Sequence, residues 1–484
     1  MKKIVYAFVC LSLWACRNEP KSKPMNEMTM AEPVLAPMTP AQMERAVIYE
    51  ANIRQYSPEG TFKAFTEDLP KLKELGVTVI WLMPVYPISQ TRRKATPELM
   101  VEDITDPLER EKYLGSYYAI SDYRAINPEF GTIEDFRELV RTAHELGLYV
   151  ILDWVANHTG WDHVWIEQHP DYYSRNAAGE ITDPLQDDGT PWGWSDVADL
   201  NYDNPQMRED MIQSMLYWLK EENIDGFRCD VAATVPTWFW KEAIGRLRAE
   251  KDIFMLAEAW EPELLEGDLF DAGYGWDGHH LMNDIAKGHK SAHDWDGYMH
   301  DRFNKYRDDD FLMNFVDNHD ENSWNGTVKE RMGDGSEAFI ALTYAMPGLP
   351  LIYSGLEYNL DHRLKFFEKD SIPHQKGSNW PLLVRLGELK ATVPALEGGK
   401  QAAGYERLAT DDQGKVLAFL RQKDGSEVVF MVNLSDSPVE FTPPLTGKYT
   451  DLISGDTKNL DTGETSRLEP WEFVLLDTSS ERLK

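Results

Sequence analysis

Three features of the sequence predict an α/β fold: a TIM (β/α)8 barrel with a short inserted domain after the third strand and a C-terminal antiparallel β-sandwich. From about residue 46, short apolar runs alternate with segments of helical period, the pattern of repeated βα units. An irregular stretch over 158–200, rich in Trp, Asp, Gly and Pro, interrupts that alternation and is too long for an ordinary βα loop. Beyond about residue 396 the helical periodicity stops, and strand-like runs follow one another across Asp-Gly and Ser-Asp turns. At 484 residues the chain has the length for such a barrel and a small accessory domain.

The elements follow in order. Residues 47–53 open the barrel. Thr61 caps a helix whose Phe65, Leu69, Leu72 and Leu75 share one face, and Gly76 ends it. The second strand, 77–83, stops at Pro84 and Pro87, and a polar insertion over 88–131 carries function or accessory structure. Thr132 and Asp135 form a capping box for a helix that buries Phe136, Leu139, Val140 and Ala143 and closes at Gly147. The third strand is 148–154. A helix over 207–220 leads to the fourth strand at 224–230. The fifth to eighth lie at 253–258, 270–275, 311–317 and 349–353. The catalytic barrel thus spans 46–395, including the inserted domain at 158–200, and the sandwich spans 396–484.

The N-terminus reads as a processing segment. Lys2 and Lys3 precede an apolar run over 4–15 that is short for a membrane span, so 1–15 is expected to be a signal peptide. Leu13-Trp14-Ala15-Cys16 resembles a bacterial lipobox, with Cys16 the residue to be lipidated. Trp14 is an unusual occupant of that motif, and plain signal cleavage is the alternative. Residues 16–45, polar and dotted with proline, are expected to be a flexible tether. The chain is therefore expected to be an exported lipoprotein, lipid-anchored to a bacterial membrane of the cell envelope. Of three cysteines, Cys10 leaves with the signal and Cys16 takes lipid, so Cys229 remains as a buried, inert thiol.

A net charge of −33 excludes nucleic acid and disfavours any anionic polymer. A neutral ligand remains, and sixteen tryptophans and twenty-one tyrosines suit one with flat sugar faces. In a TIM barrel, functional groups collect at the C-terminal strand ends. Here Asp153 with Asn157-His158, Arg228 with Asp230, Glu258, and Asp317 to Asp320 stand at four such ends. Singly, each could be a helix cap or a satisfied histidine; four converging on one rim argue for a site. Side chains alternate along a strand, so Arg228 and Asp230 share a side and Cys229 faces the helices. A guanidinium beside Asp230 is expected to lower its pKa and keep it ionised as a nucleophile. Glu258, among Leu256, Ala257, Ala259 and Trp260, is expected to be the protonated partner, raised by an apolar wall.

These motifs resemble glycoside hydrolase family 13, the alpha-amylase family. Asp153-x-x-x-Asn157-His158, Gly226-Phe227-Arg228-x-Asp230, Glu258 and Asn318-His319-Asp320 stand in order as that family's four signature regions. Residues 76–85, Asp122-Tyr123 through Phe130-Gly131-Thr132, Asp199-Leu200-Asn201 and 348–357 are similar too. The resemblance implies a retaining glycosidase of starch-like α-1,4-glucans or maltooligosaccharides, with carboxyls about 5–5.5 Å apart. It implies Asp230 as nucleophile, Glu258 as acid/base, and Asp320 as the carboxylate that grips sugar hydroxyls. It further implies that Arg228 orients Asp230, that His158 and His319 bond hydroxyls, that Tyr118 stacks on the sugar, and that Asp153 holds the local network.

A calcium ion between inserted domain and barrel is common in the family, and Asn157 and Asp199 match two ligand positions. Calcium takes about six to eight oxygens, and the bland reading is that Asn157 bonds backbone and Asp199 caps a turn. The sequence departs from the family at Ala233 and Thr234, where Lys-His is frequent, and in the shortness of the inserted domain. Two other readings stand beside hydrolysis: a transglycosylase or sugar isomerase of the same family, and a non-catalytic glycan-binding lipoprotein. The last should have lost a carboxylate, and all three are present.

Overall fold

The computed structural model describes residues 35–186 and 188–479. The signal peptide, Cys16 and most of the tether lie outside them.

Eight parallel strands close a barrel. In chain order they are Ile48–Ala51, Val79–Leu82, Tyr149–Trp154, Gly226–Cys229, Phe254–Ala257, Ala272–Tyr274, Phe311–Asn314 and Leu349–Tyr353. Each falls within the run its apolar residues mark, trimmed where the chain leaves the hydrogen-bonded ladder at the rim. Strand alternation divides the core in two. Inward residues such as Val79, Trp81, Ile151, Leu256, Tyr274 and Met313 fill the barrel. Outward ones, including Ile80, Leu82, Phe227 and Cys229, pack against the helices. Cys229 is fully buried and free, and burial pushes its thiol well up, so it stays protonated packing material.

The helices begin and end where their caps dictate. Thr61 accepts the Ala64 N–H ahead of Phe62–Glu74, and Thr132 and Asp135 form the capping box of Ile133–Glu145. Phe65, Leu69 and Leu72 are fully buried, each contributing roughly 1.5–3 kcal/mol of apolar transfer. Gly226, which opens the fourth strand, has φ near 151°, and a side chain there would run into the Phe254 carbonyl of the next strand.

The insertion over 88–131 carries a small hairpin, Lys94–Thr96 against Leu99–Met100. The inserted domain is bracketed by an antiparallel pair, His158–Gly160 with Val197–Asp199. The C-terminal domain is a six-stranded antiparallel sheet running from Gly404 to Asp477, faced by the pair Val439–Phe441 and Ser466–Leu468. One face of the large sheet packs on that pair, and the other joins the barrel's outer core through Phe419, Phe430 and Leu475.

Of the tether expected over 16–45, the described residues 35–45 are held against the barrel. Pro40–Met43 is a helix with a Thr39 capping box, and Leu35, Met38 and Met43 pack against the apolar barrel interior. The buried Glu44 carboxylate accepts the N–H groups of Gly399 and Gln401. Apolar residues scattered among prolines conceal this plug, because their partners lie at the barrel's end and not in the local sequence. No helix among the described residues is long and apolar enough to cross a membrane.

Candidate active site

The rim of the barrel is organised around one guanidinium. Arg228 is fully buried, and strand register sets it beside Asp153. Its Nη1 donates to Asp153 Oδ1 at 2.7 Å and to Asp230 Oδ1 at 3.0 Å, and its Nε donates to the Tyr274 hydroxyl at 3.1 Å. Nη2 lies 3.0 Å from Glu258 Oε2. The cation sits near the Trp81 ring, 4.8 Å from its centroid. Asp153 has no exposed surface and also accepts from Trp81 Nε1 and the Tyr118 hydroxyl. Neither Asp153 nor Arg228 lines the cavity above them. Both lie beneath it, in the hydrogen-bond network under Asp230.

Beyond Asp230 the chain turns at Val231, whose φ of 35° is strained for a β-branched residue. That turn aims the Val231 N–H at Glu258 Oε2, 2.7 Å away. Trp260 is 46% exposed and does not line the cavity that Glu258 lines. Its sequence neighbours therefore do not surround Glu258, whose carboxyl contacts Arg228 and a backbone N–H and lines the cavity with aromatic residues from other segments. Burial raises it nonetheless, Arg228 opposes that, and Asp320 adds to it.

Asp230 also departs from expectation. Burial raises its carboxyl well above the usual range, the charge of Glu258 raises it further, and Arg228 lowers it by less. One guanidinium serves three carboxyls, so it does not leave Asp230 simply ionised. Two buried carboxyls on one guanidinium, with the charge of Glu258 raising Asp230, favour a state in which one is charged and one protonated.

His319 supplies the second cation. Burial disfavours its charge, yet Asp320 and Glu50 push it up to about 10. Both ring nitrogens then donate. Nδ1 bonds the fully buried Glu50, and Nε2 bonds the Tyr118 hydroxyl at 2.8 Å, which passes its own proton toward Asp153. Nε2 is also 3.4 Å from Asp320, whose side chain is 38% exposed and reaches into the cavity. His158 is buried and held neutral, its pKa lowered to about 3 by burial, and it lines the same cavity beside Trp194.

The cavity measures about 400 Å³ and brings together Tyr118, His158, Asp230, Glu258, His319 and Asp320, all six drawn from the sequence motifs. Trp194, Trp324, Phe366 and Phe367 complete its aromatic walls, and Lys94 and Asp196 border it. None of these, nor Glu50, Trp81 and Tyr274 below, emerged from the sequence. Glu50 left one readable trace, a carboxylate inside the apolar run Val47-Ile48-Tyr49-Glu50-Ala51. A larger cavity of about 550 Å³ lies elsewhere, between the helices Trp276–Ala286 and Asp294–Lys305, and contains none of the three carboxyls.

The two calcium candidates meet across the strand pair that brackets the inserted domain, where His158 registers with Asp199. Asn157 Oδ1 accepts the Thr234 hydroxyl at 2.9 Å. Burial pushes Asp199 up to about 6. Among the described residues no group of three or more His, Cys, Asp or Glu is placed to hold a metal. One neutral oxygen already bonded and one reluctant carboxylate do not fit a calcium cage of about six to eight oxygens. Thr234, standing where the family often has histidine, closes the junction with a hydrogen bond.

Barrels place catalysis at this rim, and acid and base carboxyls set beneath sugar-sized aromatic walls are the equipment of glycoside hydrolases. The chain belongs to the alpha-amylase family. The family model for the alpha amylase catalytic domain matches residues 34–188 and 190–380, and that for the alpha amylase C-terminal all-beta domain matches 408–471. The chain is similar to an alpha-amylase of Haloarcula japonica, 25% identical over 429 residues, covering 86% of this chain and 59% of that protein. Among solved structures it is similar to a maltogenic alpha-amylase from Thermotoga neapolitana, at a TM-score of 0.78 and 26% identity, covering 90% of this chain and 99% of that one. It is also similar to an alpha-amylase from Lactobacillus plantarum, at a TM-score of 0.77 and 29% identity, with the same coverage of both chains.

Proposed function

We propose that the protein hydrolyses α-1,4-glucosidic bonds of maltooligosaccharides and starch-like glucans with retention, through a glycosyl-enzyme ester. The observation that carries this reading is the contact of both Asp230 and Glu258 with Arg228 at one cavity wall. Asp230 receives the guanidinium's hydrogen bond and Glu258 that of the Val231 N–H, and the likeness to the family's signature regions assigns the attacking role to Asp230. Its Oδ attacks C1 of the sugar seated over Tyr118, while the C1–O bond breaks and its electron pair stays with the leaving oxygen. That oxygen takes the proton of Glu258. Water then attacks C1, gives its proton to Glu258, and the ester bond breaks to restore Asp230. Asp320 reaches into the cavity where the sugar hydroxyls lie, and its electrostatic contribution grows as positive charge develops at the ring.

Export as a lipoprotein joined through Cys16 belongs to the same proposal. Residues 35–43 lie against the barrel interior's lower end, away from the carboxyl rim, so an anchor there leaves the cavity free.

The reading is tested by purified wild-type protein and Glu258→Gln on maltotriose and longer maltooligosaccharides. Wild type should release glucose or maltose. The variant should lose about 10²–10⁴-fold in kcat, the usual share of a general acid. Comparable turnover by both, or no cleavage by wild type, would overturn the assignment.

A further inference from the structure

Segments that follow three different barrel strands are joined to one another at the edge of the cavity. Lys94, on the hairpin of the 88–131 insertion, is only 9% exposed. Its Nζ donates to the Gly193 carbonyl at 2.9 Å and lies 3.5 Å from Asp196 Oδ1, both in the inserted domain. Two neighbouring contacts repeat the join. The Arg92 guanidinium stacks 3.7 Å from the centroid of the Trp161 ring, and the Gln90 N–H donates to Asp162 Oδ2 at 2.7 Å.

The same insertion is tied at its other end to the loop after the eighth strand. The Leu114 N–H donates to the Phe367 carbonyl at 2.6 Å, and Tyr113 bridges Glu368. Lys94, Asp196 and Phe367 all line the cavity, so these ties form its side and not a distant brace.

The mechanism proposed above orients a substrate against this wall. Glu258 must meet the leaving-group oxygen, and Glu258 stands with Val231 at the ends of the fourth and fifth strands. The attacked sugar lies over Tyr118, which belongs to the walled insertion. The non-reducing side of the substrate therefore runs into the wall, and the leaving group runs out from it. A cavity of about 400 Å³ is near the small end of ligand sites, which span about 300–1,000 Å³.

We infer that the Lys94 tie to Gly193 and Asp196 makes the non-reducing side of this cavity blind, so that the enzyme cuts short pieces from chain ends of α-glucans and not bonds within them. The inference rests on the α-glucanase reading. It makes Lys94 and Asp196 positioning residues for specificity, acting through the loops they join. A buried ammonium paired with a carboxylate and a carbonyl is the join that reaches the 193–196 segment at the cavity's edge, beside the contacts of Gln90 and Arg92 further along. Removal of the ammonium leaves Asp196 without that cation and loosens the 193–196 segment that borders the cavity.

The test compares kcat/KM for maltoheptaose with that for the same oligosaccharide blocked at its non-reducing end by a 4,6-acetal, with β-cyclodextrin as a substrate that has no ends. Wild type should cleave maltoheptaose and leave the blocked and cyclic substrates nearly untouched. In Lys94→Met and in Asp196→Asn the ratio of blocked to free kcat/KM should rise about tenfold or more, the scale on which pocket contacts discriminate. Lys94→Arg, which keeps the charge and the reach, should restore the wild-type ratio. Equal wild-type kcat/KM on blocked and free substrates overturns the inference, as does an unchanged ratio in both folded variants. Wild type inactive on every substrate would instead overturn the α-glucanase reading.

Discussion

Asp230→Asn should lower kcat on maltotriose by about 10⁴-fold or more, since the loss of a nucleophile removes the covalent route entirely. The substitution keeps the shape and can still accept the Arg228 N–H through its amide oxygen. Its effect on stability is expected to run opposite to its effect on rate. Burial and Glu258 raise the folded pKa of Asp230, so at neutral pH the folded state either holds a disfavoured charge or takes up a proton that the unfolded state does not bind. A carboxyl shifted in this direction costs stability above its unfolded pKa, and the cost disappears as pH falls below it. The neutral amide should therefore leave Tm at pH 7 equal to or above that of wild type, as measured by calorimetry. A variant that is inactive and clearly less stable would contradict this electrostatic picture of the rim.

Arg228→Leu should have the largest effect on folding. It strands Asp153, Asp230 and Glu258 without the cation they share, and the Tyr274 hydroxyl without its donor. Removing one partner of a buried ion pair typically costs about 3–5 kcal/mol, because a buried charge is left uncompensated. Denaturant unfolding should show a loss of that order, together with loss of activity. Arg228→Lys keeps the charge but lacks the fork that reaches Asp153 and Asp230 from Nη1 and Glu258 from Nη2, so it should fall between the two. An Arg228→Leu protein of wild-type stability would contradict the account of the guanidinium as the keystone of the rim.

Much of this site was readable because strand order and parity are short-range properties. The eight apolar runs, the capping residues Thr61 and Thr132, and the inward direction of Arg228 follow from local pattern. So does the outward direction of Cys229. What could not be read depends on distant neighbours. Asp230 was expected to be ionised because Arg228 lies two residues away in sequence. The structure adds Glu258 and Asp153 to the same guanidinium, and their charges change the balance. The sequence neighbours of Glu258 are not its spatial ones, because at the strand end Leu256 turns into the barrel and Trp260 is exposed. Glu50, which helps hold the charge on His319, lies 269 positions away from it. Lys94 and Asp196 sit in two polar insertions whose contact no periodicity announces.

The central claim is that Asp230 and Glu258 act as nucleophile and acid/base in a double displacement at an α-glucosidic bond. Proton NMR of the reducing-end anomer released early in maltooligosaccharide hydrolysis, before mutarotation, tests it most directly. The account predicts that the α anomer appears first. A first-formed β anomer would require a single displacement by water, and would contradict the role given to Asp230.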